Sequence, residues 1–244
     1  MSETPSISIL TPIFNRSQWL PLMLYNLKSL KYPRDKLEWV ILDTYDKKDR
    51  KWDKLFPTNK EREEAEKFIG FPIKYQMNHN SYHIGQKRNK LVKLASHKVC
   101  ANMDSDDIML ATWLEHSISV MKSDPRCSLV GTPEMLFCHT DEDYMLSGIK
   151  CGEKRMIHEA GMVFTKKHWR SMQGFSKSSQ GEGTQMIDYN ENMCLETSAD
   201  KVIICICHSG NTIDKSRFKE KAINGGKTKL GGAIKDLIQD IIEV

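Results

Sequence analysis

Asp104, Ser105, Asp106 and Asp107 place three carboxylates within four consecutive residues, directly after the apolar run 99–103. Crowded acids repel one another, and at the end of a buried strand that repulsion is costly unless a cation or hydrogen-bond donors offset it. Carboxylate oxygens suit Mg²⁺ or Mn²⁺, and Mg²⁺ is usually held by one or two carboxylates together with substrate phosphates. In an extended segment Asp104 and Asp106 share a side, so one can hold a sugar while the other reaches a metal. The same acids also suit the start of a helix over 108–121, where Asp106 and Asp107 would favour the helix dipole and need no ligand. On their own, these residues support both readings.

The surrounding sequence shows how such a cluster would be positioned. Residues 7–10 form a β-rich run that stops at Thr11-Pro12, and 19–30 carries apolar residues at helical spacing. Apolar runs recur at 37–42, ending at Asp43, and at 73–77, before the polar loop 78–83. Helical periodicity returns over 85–97, with Arg88, Leu91, Val92 and Ala95 on one side, and 99–103 is a further strand. Strands alternating with helices predict an α/β fold with a mostly parallel sheet covered on both faces. Ligands of such sheets bind at the carboxyl ends of the strands, here Thr11 to Arg16, Asp43, and Asp104 to Asp107.

Within the charge-dense surface insertion 47–67, a helix is expected over 58–68 with Thr58 or Asn59 as its cap. A strand over 161–165, a helix over 166–172 and a Gly- and Ser-rich loop over 174–183 follow, and such a loop could move over a ligand. Residues 227–244 carry an apolar helical stripe, expected to dock on its own domain, with a homodimer through this helix as the alternative.

Four segments in order resemble one family. Ile9-Leu10-Thr11-Pro12-Ile13-Phe14-Asn15-Arg16, Val40-Ile41-Leu42-Asp43, Ile84-Gly85-Gln86-Lys87-Arg88-Asn89-Lys90 and Asn102-Met103-Asp104-Ser105-Asp106-Asp107 are similar to motifs of the family 2 glycosyltransferases, the third to its glycine-to-Arg-Asn segment, here with two residues between Gly85 and Arg88, and the last to its D-x-D motif. The resemblance covers roughly residues 6–215 and implies a single GT-A (Rossmann-like) domain over 1–218, followed by an amphipathic helical tail over 219–244. It implies that Thr11, Pro12, Asn15, Arg16 and Asp43 line a nucleoside pocket and that Arg88 approaches the nucleotide or its phosphates. Asp104, Ser105 and Asp106 would hold the donor, with Asp104 and Asp106 near the metal. His208, opening His208-Ser209-Gly210-Asn211-Thr212, is similar to a C-terminal His segment of GT-A enzymes and would complete the metal shell. Gly174-Phe175 fits the acceptor side, but Gly181-Glu182-Gly183-Thr184-Gln185 has glycine where a second acid is often found. Glu182 is therefore the expected base, with Asp188 in reserve. Each residue also has a plain structural reading: Thr11-Pro12 a strand terminator, Asp43 a turn residue, Arg88 a solvated helix residue, Glu182 an exposed loop residue, His208 a satisfied histidine. His79, His83 and His158 lie near these loops with no spacing that assigns them.

The resemblance implies an inverting hexosyl- or deoxyhexosyl-transferase. It would use Mn²⁺ or Mg²⁺ and a UDP- or GDP-type nucleoside-diphosphate-sugar, and act on a glycan, glycoconjugate or protein acceptor. Two alternatives remain: a non-catalytic nucleotide-sugar- or glycan-binding module, and a nucleotidyltransferase, for which residues 11–18 lack the glycine of a phosphate loop. The formal charge of +4, from 36 basic and 32 acidic residues interspersed along the chain, gives no basic arm, so no nucleic-acid partner is expected. No apolar stretch approaches the roughly 18 residues of a membrane span, and residues 1–6 carry no leader pattern, so a cytoplasmic protein is expected. Seven cysteines without a Cys-x-x-Cys pair fit a reducing compartment.

Overall fold

The apolar runs at 7–13, 37–44 and 99–102 are buried on both faces, as expected of strands with parallel neighbours under helical cover. The computed structural model describes residues 3–45, 54–79, 82–150, 157–187, 193–211 and 228–243. Strand β1 (Ile7–Phe14) leads through a short 3₁₀ turn into helix α1 (Leu20–Ser29), and β2 (Leu37–Thr44) is buried along its whole length. Helix α2 (Asn59–Ile69) follows. Thr58 and Glu61 form a reciprocal capping box at its start, and Gly70, at φ 84°, takes the left-handed conformation at its end. Then come β3 (Ile73–Asn78), α3 (Ile84–Leu94) and β4 (Val99–Asn102). β1 pairs in parallel with β2 on one side and β4 on the other, and β3 adds beyond β2. Strand order therefore reverses between β1 and β4, and the crevice at their carboxyl ends is where ligands of such sheets bind.

The chain then departs from simple alternation. The helix expected over 108–121 is instead strand β5 (Asp107–Met109) followed by α4 (Trp113–Ser123), with Thr112 at the helix start. The acidic cluster thus lies between two strands and caps no helix. Strands β6 (Leu129–Gly131), β7 (Glu134–His139), β8 (Met145–Lys150) and β9 (Val163–Thr165) precede helix α5 (Lys166–Ser171), and β10 (Cys194–Glu196) and β11 (Ile203–Cys207) come after it. The main sheet has seven strands in the order β10-β6-β9-β4-β1-β2-β3, with β9 antiparallel to both neighbours. A second, four-stranded sheet runs β5-β11-β7-β8. β11 belongs to this second sheet, where it pairs with β5 directly after the acidic cluster.

Helix α6 (Ala233–Ile242) docks on its own domain, with Ile238 and Ile241 joining the main core and Leu230, Ile234 and Leu237 packed against it. Residues 212–227, which contain the expected start of the tail, lie outside the described residues. Among the described residues no helix is long and apolar enough to cross a membrane, and the cysteines form no disulfide.

Candidate active site

The carboxyl ends of β1 and β4 open onto a cleft of about 540 Å³. β1 contributes Pro12, Ile13 and Phe14 to its lining, and the turn that follows contributes Arg16. Asn15 sits at φ 50°, a left-handed turn that asparagine tolerates better than most residues. Arg16 then reaches across to the second sheet: its Nη2 donates to the Gly210 carbonyl, and its Nε lies 3.8 Å from Asp106 Oδ2.

Arg88 is the hub of the opposite wall. It is 2% exposed, yet its guanidinium lines the cleft. Nε donates to Glu182 Oε1 at 2.9 Å, while Nη2 donates to both oxygens of Asp104 at 2.9 and 3.2 Å. Nη1 is buried with no hydrogen-bond partner among the described residues. Burial alone would favour the neutral guanidine, but the carboxylates of Asp104 and Glu182 outweigh it and hold Arg88 charged. At Asp104 desolvation raises the pKa, Asp106 and Glu182 add to the rise, and Arg88 opposes it.

Asp106 faces the other way. Its Oδ2 lies 3.1 Å from His208 Nε2, and Trp19 backs the imidazole with ring centroids 4.7 Å apart. The Gly210 amide donates to His208 Nδ1 at 3.1 Å, which leaves Nε2 turned to Asp106. An oxygen–nitrogen separation of this size is what two neighbouring ligands span on one ion at about 2.1 Å each. The donor set, one carboxylate and one imidazole, suits Mn²⁺ or Mg²⁺ completed by phosphate and water. Among the described residues no three His, Cys, Asp or Glu side chains surround a single cation position, because Asp104 is turned to Arg88. The expected trio Asp104, Asp106 and His208 is thus split between two jobs.

The loop that carries Glu182 is clasped to the first turns of α3. Gly85 N–H donates to the Ser178 carbonyl at 3.2 Å and His83 Nδ1 pairs with Ser179 Oγ at 2.9 Å. Asn89 bridges the loop base, donating to the Phe175 carbonyl at 2.8 Å and accepting from Phe175 N at 2.9 Å and Trp169 Nε1 at 2.8 Å. The Gly-x-x-Arg-Asn spacing of residues 85–89 thereby acquires a physical meaning. Gly85 admits the loop, Arg88 ties its acid to the cleft, and Asn89 pins its base.

Several expected residues lie elsewhere. Thr11 is fully buried and accepts from Trp39 Nε1 at 2.8 Å, and Asp43 is fully buried with Oδ2 accepting from Tyr75 Oη at 2.6 Å and Leu55 N at 3.1 Å. Neither lines the cleft, nor does Asn15. They shape the strand ends beneath it. Ser105 does line it, and Asp107, which also borders it, ties β5 to β11 by accepting from Ile206 N at 3.2 Å. Asp188 lies outside the described residues. Lys87, His158 and Glu159 also line the cleft, and no role for them is legible in the sequence. Lys87 precedes Arg88 in a quoted motif, but the other two belong to none.

The profile of the family described as "Glycosyl transferase family 2" matches residues 8–178. No curated protein matches the chain. Among solved structures, that of S. aureus TarS superposes with a TM-score of 0.58 at 13% identity, covering 82% of this chain and 36% of TarS. The mannosyltransferase PcManGT from Pyrobaculum calidifontis, in complex with GDP-Man and Mn²⁺, gives a TM-score of 0.58 at 14% identity over 90% of this chain and 60% of its own. The 1–349 fragment of TarS in complex with UDP-GlcNAc gives 0.59 at 14% identity over 97% of this chain and 71% of the fragment. The chain therefore spans between 36% and 60% of the first two of these structures. At such identity the likeness establishes the shared fold.

Proposed function

The chain belongs to glycosyl transferase family 2, and from that premise we propose that its cleft transfers a hexosyl or deoxyhexosyl group from a UDP- or GDP-type sugar to an acceptor hydroxyl. The observation that carries this reading is the Asp106–His208 pair, 102 residues apart in sequence and 3.1 Å apart in space, at the point where strand order reverses. Asp106 and His208 would hold Mn²⁺ or Mg²⁺. A bound ion supplies Lewis-acid stabilisation of the charge that develops on the departing diphosphate. That solved neighbours carry UDP-GlcNAc, or GDP-Man with Mn²⁺, supports this class of donor and metal.

The chain's own groups divide the remaining work. Arg16 and Lys87, which line the cleft, bring positive charge to the diphosphate, and Arg88 adds to it from the wall. Asp104, its orientation fixed by the Arg88 fork, positions the sugar. The acceptor hydroxyl attacks the anomeric carbon in one displacement, which inverts the configuration. Glu182 is 5% exposed and bonded to Arg88, an arrangement that suits it to fixing the guanidinium. The acceptor is a glycan, a glycoconjugate or a protein.

A thermal-shift series with UDP, GDP, UDP-GlcNAc and GDP-mannose, with and without Mn²⁺, tests the reading. At least one nucleotide should stabilise the protein, by about 2.7 kcal/mol at a hundredfold excess over its Kd. The increment due to Mn²⁺ should vanish in His208→Ala. Mn²⁺-independent binding, or an increment that survives this substitution, would remove the metal from the site. A pure binding module, for which Gly183 speaks, predicts the same shifts with no release of nucleoside diphosphate from either sugar donor.

Lys87 makes a pH-dependent prediction. Its ammonium lies 4.7 Å over the exposed Phe14 ring, and burial pulls its pKa down to about 8, with Asp43 opposing. The folded protein therefore loses this charge as pH rises through about 8, where an unfolded lysine would still be protonated. One charge-assisted contact is worth about 1.5 kcal/mol, so UDP or GDP affinity should fall about tenfold between pH 7 and pH 9. Titration calorimetry on Lys87→Met should give a flat profile over that range. A fall of equal size in the variant would assign the effect to another group.

A further inference from the structure

Gly183 has φ −81° and ψ −14°, an ordinary right-handed conformation open to any residue, so backbone geometry does not select glycine there. Space does. A Cβ at position 183 would stand 2.4 Å from Glu159 Cγ and 2.9 Å from both its Cδ and its Oε1. The Glu159 carboxyl group thus occupies the volume that a side chain at 183 would fill, and the Gly183 amide donates to Oε1 at 2.9 Å. Position 183 is also where the family resemblance places an acid.

Glu159 is well held for work in the cleft. Its carbonyl accepts from Asn102 Nδ2 at 3.0 Å, so it is tied to the last residue of β4, next to the strand end that delivers Asp104 and Asp106. Its side chain lines the cleft and contributes to holding Arg88 charged. Among the described residues only Oε1 takes part in a hydrogen bond, which leaves Oε2 for a ligand. Glu182, by contrast, is buried against Arg88. The neighbouring His158 also lines the cleft, and burial holds its pKa down at about 4, so it is neutral at physiological pH.

We propose that Glu159 is the general base of the transfer, its carboxylate standing in for the acid that position 183 lacks. This assignment rests on the reading of the cleft as a glycosyl-transfer site. The acceptor O–H proton passes to Glu159 Oε2 while the acceptor oxygen forms its bond to the anomeric carbon. The bond from that carbon to the β-phosphate oxygen breaks, and its electron pair leaves with the nucleoside diphosphate. Glu182 is then a positioning residue that fixes Arg88.

The experiment measures release of UDP from UDP-GlcNAc and of GDP from GDP-mannose with Mn²⁺, alongside UDP and GDP affinity by calorimetry. Glu159→Gln keeps an acceptor for the Gly183 amide, so folding and nucleotide affinity should be unchanged while kcat falls about 10²–10⁴-fold. Glu159→Ala should lose as much, and adding Gly183→Asp to it should restore at least about tenfold, because the deletion opens the space the new Cβ needs. A structural role for Glu159 would not yield to that exchange. Turnover of Glu159→Gln within about threefold of wild type, or no gain from the second substitution, would overturn the base alone. A wild-type protein that binds UDP or GDP yet releases neither from its sugar would overturn the transfer reading and the base with it.

Discussion

Arg88→Met is expected to lower stability at pH 7 by about 3 kcal/mol and to abolish donor turnover. The guanidinium is 2% exposed and serves two carboxylates at once, Glu182 through Nε and Asp104 through Nη2. Methionine fills much of the volume, so the loss comes from leaving two acids unpaired in a closed site. For a chain of this size, a deficit of about 3 kcal/mol corresponds to a fall in Tm of roughly 6–12 °C. The sign of the pH dependence follows from the proton balance. Without Arg88 the desolvated Asp104 carboxyl loses the cation that opposes its raised pKa, so between its unfolded and folded pKa values the folded state binds more protons than the unfolded state. Stability of the variant therefore falls as pH rises through that range and recovers as pH falls. Asp104, already raised by burial in the wild type, should lead the recovery. Thermal unfolding at pH 7 and pH 5 should show the deficit shrinking at the lower pH. An equal deficit at both values would mean that lost packing, and not the unpaired acids, sets it. Arg88→Lys should not rescue, because a single ammonium does not reproduce a fork that reaches two carboxylates.

What the sequence made legible, and what it did not, divides along sequence separation. The runs that become β1, β2, β3 and β4 are locally apolar and end in polar residues, so their identity and the position of Asp104 and Asp106 at a strand end follow from the pattern alone. The second sheet escaped because its strands acquire meaning only on pairing. β5 is three residues long and reads as the start of a helix until β11, nearly a hundred residues later, lies beside it. That pairing in turn brings His208 to Asp106. Asp43 and Thr11 show the opposite limit. Both motif positions were identified, but the side chains are fully buried under the cleft, and burial is not written in a motif. Glu159 carried no signal at all, because its place depends on a side chain that Gly183 does not have.

Gly85→Ala should reduce turnover by about 10²-fold while leaving UDP or GDP affinity nearly intact, against what helix propensity predicts. Alanine in place of glycine within a helix is ordinarily worth about 1 kcal/mol in favour of folding. Here a Cβ would stand 1.9 Å from the Ser176 carbonyl oxygen, 3.0 Å from Glu182 Cβ and 3.1 Å from the Ser176 carbonyl carbon. The first contact is with backbone and has no rotamer to escape into, so the loop must lift from α3 by about 1 Å, a misplacement of the size that costs catalysis about a hundredfold. Lifting the loop draws Glu182 from Arg88 and the Gly183 amide from Glu159, so the acid fixing the guanidinium and the proposed base are disturbed together. Arg16, Asp106 and His208 stand on other segments, which is why nucleotide affinity should change little. A variant with full turnover and a raised Tm would show that the loop yields at no cost and that Gly85 is a helix residue like any other. A hundredfold loss of kcat at constant Kd would instead show that the glycine of the Gly-x-x-Arg-Asn segment sets the distance between α3 and the loop, and through it the geometry of the acids that face the acceptor.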